Sequence, residues 1–190
     1  IHTLPETDVS HLTESEGLKQ LGIQATKHCQ ADKFILTLGG EHTLSTPIIR
    51  AVQRKYPTLS VLQIDAHADL RDSYEGTKNS HACVMRRITE ICPIVQVGIR
   101  SISREEMDVA AALPTQIFFA RNIIGRTDWI PNAVANLNEH VYLTIDVDGL
   151  DPSVMPATGT PEPGGMGWNE TLELIRQVAE SRKIVGADIV

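Results

Sequence analysis

Three largely apolar runs in this chain each end in a cluster of carboxylates and imidazoles, and that recurrence constrains the fold more than any other feature. Ser60-Val61-Leu62-Gln63-Ile64 runs into Asp65-Ala66-His67-Ala68-Asp69. Phe34-Ile35-Leu36-Thr37-Leu38 runs into Gly39-Gly40-Glu41-His42. Val141-Tyr142-Leu143-Thr144-Ile145 runs into Asp146-Val147-Asp148-Gly149-Leu150-Asp151-Pro152. Short apolar runs bounded by turn residues read as buried strands. Open α/β sheets gather their sites where such strands end. The glycine pair at 39 and 40 reads as a sharp turn that delivers His42 to the same sheet edge.

Between these runs the periodicity alternates. Helices are predicted over Glu14 to Cys29 (capped by Thr13 or Ser15), Ser45 to Lys55 (Pro47 in its first turn), His81 to Ile91, Arg104 to Ala112, Trp129 to Leu137 and Asn169 to Ser181. Strands are predicted over 34–38, 60–64, Ile94 to Gly98, Gln116 to Ala120, 141–145 and Ile184 to Ile189. Strands alternating with helices imply an α/β fold, a three-layer αβα sandwich around a central parallel sheet. Residues 70–80 are polar and form a loop beside the site. Residues 149–167, rich in Pro and Gly, form a long loop over it. No internal repeat or interdomain linker is visible, so residues 1–190 read as one domain.

Taken singly, the ligand candidates are weak. A lone histidine is more often a satisfied polar residue, and an isolated Asp-x-Asp is often a turn or a helix cap. Six such residues at three strand ends are different, because clustered like charges repel without a cation. The set is His42, Asp65, His67, Asp69, Asp146 and Asp148. Four carboxylates and two imidazoles without a thiolate favour manganese or a similar octahedral-tolerant divalent ion over structural zinc. They are too many for one ion and suit two ions sharing aspartates. Charge counting leaves such a site net negative, which favours a cationic electrophile over a phosphate ester.

Composition narrows the function classes. The net charge of −7, with no Lys/Arg-rich run, argues against nucleic-acid binding. The pair Arg86-Arg87 reads as a helix surface or a subunit contact. No stretch is apolar for long enough to cross a bilayer. Cys29, Cys83 and Cys92 show no framework spacing and read as reduced thiols of a cytoplasmic protein, away from the metal motifs.

The strings Gly-Gly-Glu-His (39–42), Asp-Ala-His-Ala-Asp (65–69) and Thr144 to Gly165 resemble the ureohydrolase family, which includes arginase and agmatinase. The resemblance runs from about Phe34 to Val190. Residues 69–88, beginning Asp-Leu-Arg-Asp-Ser-Tyr-Glu-Gly, and residues 96–108 are most similar to agmatinases. The resemblance implies an arginase-like fold, incomplete at both ends, with 1–190 the central part of a longer chain. It implies two Mn2+ ions bridged by Asp65 and Asp146, with His42 and Asp69 completing one and His67 and Asp148 the other. It implies attack of a metal-bridging hydroxide on the guanidinium carbon of agmatine, giving urea and putrescine in polyamine biosynthesis. Asp69 is then expected to shuttle a proton to the leaving amine. His81 matches a mobile histidine that assists this traffic, a task suited to imidazole. Thr160 is expected to bind substrate. Glu162, with Asp72, Tyr74 and Glu75, is expected to rim the pocket and suit a cationic tail. The glutamate that grips the guanidinium is expected just beyond Val190. A cytoplasmic homo-oligomer, trimer or hexamer, is also implied.

The alternatives are other guanidino substrates (guanidinobutyrate, arginine, formimidoylglutamate), a deacetylase-like amide hydrolase, and a non-catalytic relative. Deacetylase-like enzymes keep fewer aspartates, and no ligand is lost within this chain.

Overall fold

The computed structural model describes residues 2–190. Helix α1 (Glu14–Gln30) opens on a reciprocal cap: Thr13 Oγ1 accepts from the Glu16 N–H, and the Glu16 carboxylate accepts from the Thr13 N–H at 3.0 Å. Strand β1 (Leu36–Leu38) leads through a 3-10 turn (His42–Leu44) into α2 (Ser45–Lys55). Strand β2 (Leu59–Ile64) follows, then a second 3-10 turn (His81–Cys83) and α3 (Val84–Ile88). Next come β3 (Ile94–Ile99), α4 (Arg104–Ala110), β4 (Thr115–Phe119), α5 (Ala120–Ile123) and α6 (Ile130–Ala135). Strand β5 (His140–Ile145), a third 3-10 turn (Val147–Gly149), α7 (Trp168–Ser181) and β6 (Lys183–Ile189) complete the order.

The six strands form one parallel sheet in the order β1-β6-β5-β2-β3-β4. Both faces are covered, as the lack of polar alternation in β2 and β3 requires. Ile49, Val52, Met85 and Ile88 from α2 and α3 pack with Val61 and Tyr142 on one side. Ile130, Ala133, Leu174 and Val178 from α6 and α7 pack with Leu62, Ile64, Val97 and Leu143 on the other. This is the expected three-layer αβα architecture. No helix is long and apolar enough to cross a membrane among the described residues.

Register then places the ligands. Ile64 lies opposite Ile145 in adjacent strands, so Asp65 and Asp146 leave the sheet side by side although some eighty residues of chain separate them.

Several elements differ from their predicted bounds. The run at 34–38 contributes only Leu36–Leu38, and that strand is an edge rather than a buried one: Leu38 is 74% exposed. Among the described residues it pairs with β6 alone, so its other flank has no strand beside it. The predicted helix over 81–91 is a 3-10 turn followed by a short α-helix. It closes on Ile88, whose carbonyl accepts from both the Ile91 and Cys92 N–H groups before the chain enters β3. Ala120 starts α5 rather than ending β4. The Gly39-Gly40 pair is not in the left-handed region: an added Cβ at Gly39 would meet the Leu44 side chain, and Gly40 is open.

Candidate metal centre

The six predicted ligands converge at the carboxyl end of the sheet. Strand β2 stops at Ile64, and the chain turns at once, so residues 65–69 form a loop instead of one strand face. Asp69 sits in the left-handed region at φ +54°, a conformation that aspartate tolerates better than most residues. It is held from both sides: its carbonyl accepts from the Arg86 N–H at 3.0 Å, and the next N–H, of Leu70, is donated to Glu106 Oε1 at 2.9 Å. The turn sends the Asp69 carboxylate back to within 3.1 Å of His42 Nδ1.

Two groups result. His42, Asp65 and Asp69 form one, all buried; Asp65, His67 and Asp148 form the other. Asp65 belongs to both, and its two oxygens are divided between them. Oδ2 lies 3.3 Å from His42 Nδ1, and Oδ1 lies 3.6 Å from His67 Nδ1. Asp148 Oδ2 lies 3.0 Å from His67 Nδ1. Asp146 stands slightly apart, with Oδ2 3.7 Å from His42 Nδ1 and a partly exposed side chain.

The fold spends backbone donors on three of the carboxylates. Asp65 Oδ1 accepts from the His67 N–H (2.7 Å), Asp146 Oδ1 from the Asp148 N–H (3.1 Å) and Asp148 Oδ1 from the Ala66 N–H (3.1 Å). Gly149 permits the last approach, since a Cβ there would lie 2.7 Å from the Asp65 nitrogen. Among the described residues, no backbone or hydroxyl donor reaches the Asp69 carboxylate.

His42 tests whether these residues fit a cation. Its Nε2 is 2.9 Å from Thr144 Oγ1, whose one proton is donated to Asp188 Oδ1 at 2.6 Å. Thr144 must therefore accept from His42, which puts the ring proton on Nε2. Nδ1 is thereby turned to the cluster, buried, without an aligned hydrogen-bond partner and facing three carboxylates that favour a proton or a cation on it. That is the arrangement of a metal-ligating imidazole with its other nitrogen anchored.

The electrostatics agree. Burial, and then the charge of Asp65, push the Asp69 carboxyl up to about 6. Burial and the neighbouring Asp65 and Asp148 push Asp146 up to about 7. Burial opposes ionisation of Asp65 as well, but its bonds to His42 and His67 outweigh it and hold that carboxyl below the usual range. Hydrogen bonds to Asp148 and Asp65 raise His67 to about 10. Crowded carboxylates of this kind need positive charge, from protons or from divalent ions.

A cavity of about 210 Å³ opens onto the cluster. His42, Asp65, His67, Asp69, Asp146, Asp148, His81, Tyr74 and Thr160 all line it. His81 sits between Glu41, 3.4 Å from its Nδ1, and the edge of the Tyr74 ring. Thr160 Oγ1 donates to Asp148 Oδ2 at 2.8 Å. The rim differs from expectation. Asp72 is engaged by Arg87 and Lys78 on the outer surface, and neither Glu75 nor Glu162 lines the cavity. Glu162 instead offers its carbonyl to Arg100 at 2.7 Å. Arg87 also pairs with Glu90, so its charge is satisfied within the chain.

Arg100 was not singled out by sequence reasoning. Its guanidinium donates to the carbonyls of Gly98 (3.0 Å), Asp148 (2.6 Å) and Glu162, stitching the 149–167 loop to the end of β3. Thr144 and Asp188 were missed too. Both carried a signal: each is a polar residue inside an otherwise apolar strand, which needs a buried partner.

Known proteins resemble this chain along its whole length. The model of the arginase family matches residues 1–190. An N(1)-aminopropylagmatine ureohydrolase of Synechocystis sp. is 43% identical over 160 residues, covering 83% of this chain and 52% of that protein. An agmatinase of Pyrococcus horikoshii is 41% identical over 153 residues, covering 80% of this chain and 52% of that one. The chain thus spans about half the length of these relatives. Among solved structures, agmatine ureohydrolase of Thermoplasma volcanium superposes with a TM-score of 0.81 at 30% identity, covering 98% of this chain and 62% of that one. Arginase from Bacillus caldovelox superposes at 0.84 with 26% identity, covering 100% and 72%.

Proposed function

The chain belongs to the arginase family, and from that premise we propose that it carries the catalytic centre of an agmatinase, hydrolysing the guanidinium group of agmatine to urea and putrescine with two Mn2+ ions. One observation carries the reading: two groups of ligands share Asp65, and each of its oxygens faces a different histidine. His42 and Asp69 would hold one ion, His67 and Asp148 the other, with Asp65 and Asp146 between them. Divalent ions there would supply Lewis-acid polarisation and a water of lowered pKa.

The protein's own groups do the rest. Asp69 is the ligand without a backbone donor, so its carboxylate is free to accept a proton during attack and to return it to the leaving amine. His81, exposed on the cavity wall, would exchange that proton with solvent. Thr160 steadies Asp148 and narrows the cavity beside it. The acidic walls favour a cationic electrophile.

A second reading keeps the reaction and lengthens the substrate. The Synechocystis relative is named for N(1)-aminopropylagmatine, and so are two relatives from Thermus thermophilus at 36% identity. The test is urea release by the full-length protein after manganese loading, with agmatine, N(1)-aminopropylagmatine, arginine and guanidinobutyrate in parallel. Preference for agmatine is expected. Preference for the aminopropyl compound would move the assignment to the second reading. No urea from any of them, with two ions bound, would point to a non-catalytic relative.

A further inference from the structure

Strands β2 and β3 carry two glutamines inside apolar runs. Gln63 and Gln96 are register partners and neither is exposed at all. A buried amide costs several kcal/mol unless its groups are paired. Here every one is. Gln63 Nε2 donates to Asp65 Oδ2 at 2.6 Å and to the His67 carbonyl at 3.3 Å. Gln63 Oε1 accepts from Gln96 Nε2 at 2.6 Å, and the same Nε2 donates to the Ala68 carbonyl at 2.7 Å. Gln96 Oε1 accepts from Thr115 Oγ1 at 2.9 Å, in β4. Both Nε2 groups face only acceptors, so one amide orientation satisfies the chain.

Resting on the metal-centre reading above, we infer that Thr115, Gln96 and Gln63 form a buried relay that positions Asp65 and the 65–69 loop for metal binding. The relay reaches the one carboxylate common to both ligand groups, and it grips the loop at two further carbonyls. With the Gln63 amide on Oδ2 and the His67 N–H on Oδ1, the plane of the Asp65 carboxylate is fixed so that one oxygen faces each histidine. A hydrophobic pair would fill the same space without directing Asp65 at all. These are positioning residues, since none of them lines the cavity.

The test uses the full chain with Gln63→Met, Gln96→Met, the double variant and Thr115→Val. The readouts are Mn2+ affinity, from the free-ion electron paramagnetic resonance signal, and Tm. Gln63→Met should weaken Mn2+ binding about 10–100-fold, the usual consequence of losing a group that orients a ligand. The double variant should lose less than the sum of the two single losses, because Gln96 reaches Asp65 only through Gln63. Thr115→Val, nearly isosteric and half-buried, should still weaken binding at least about threefold, and it decides the matter should the glutamine variants not fold. Unchanged Mn2+ affinity with a lowered Tm, or losses that simply add, would overturn the relay and leave the glutamines as structure only. A wild-type chain that binds no divalent ion would overturn the metal centre itself, and the relay with it.

Discussion

His42 Nε2 lies 2.9 Å from Thr144 Oγ1, a hydroxyl whose own proton is directed to Asp188. That bond joins a turn at the edge of the sheet to a strand at its centre, and it decides which nitrogen of His42 is free to ligate. Thr144→Val should keep the shape and remove the acceptor. Mn2+ affinity should fall about 10–100-fold with a stability loss of about 1–3 kcal/mol from the polar groups left unpaired. Competition with a fluorescent chelator measures the first and urea denaturation the second. Unaltered affinity would mean that His42 needs no anchor.

Asp146→Ala should remove both metal occupancy and turnover, since this carboxylate is assigned between the two ions. Metal content by elemental analysis after gel filtration checks it. Two ions retained per chain would sink the bridging assignment, which rests on the least enclosed of the four aspartates.

His81→Asn should leave metal content intact and lower turnover by about 10²-fold or more, the range for loss of a proton-transfer group. Exposure of His81 on the cavity wall places it outside both ligand groups. Loss of the ions in this variant would make His81 a ligand instead.

Arg100→Gln should release the long loop over the site. The guanidinium holds the carbonyls of Asp148 and Glu162 at 2.6 and 2.7 Å, and charged donors of this kind contribute about 1.5–3 kcal/mol. Faster proteolysis within 151–165, with most ligands still in place, is the expected pattern. Cleavage at the wild-type rate would show that the loop is held by other contacts.

Asp151 sets a pH dependence. Bonds from the Ser153 hydroxyl and N–H come first, then those from Gly165 and Gly164, and together they lower its carboxyl from 3.8 to about 2. A depressed carboxylate stabilises the fold above its unfolded value, and the contribution disappears as pH falls toward 2. Asp151→Asn should therefore be less stable than wild type at pH 7, with the difference shrinking below pH 4. A difference in denaturation midpoint that does not change with pH would refute this role.

Much of the centre was legible in the linear chain. Strands that end in clustered aspartates and histidines are unfavourable without a cation, so Asp65, His67, Asp69, Asp146 and Asp148 pointed to one site before any fold was known. The alternation of periodicities was enough for the layered architecture. Local rules also narrowed the α1 cap to Thr13 or Ser15, and the reciprocal bonds with Glu16 make it Thr13.

What the chain alone left open depended on sheet order. The strands of His42, Asp65 and Asp146 meet only through the arrangement β1-β6-β5-β2, and the open edge at Leu38 follows from the same order. The division of the Asp65 oxygens brings in His42 from another strand end, the Thr144 anchor spans 102 positions, and the Arg100 stitch spans 48 and 62. Residue type says that a buried Gln63 or Asp188 must find a partner. Only the packed sheet, by fixing which strands are neighbours and in what register, decides which partner it finds.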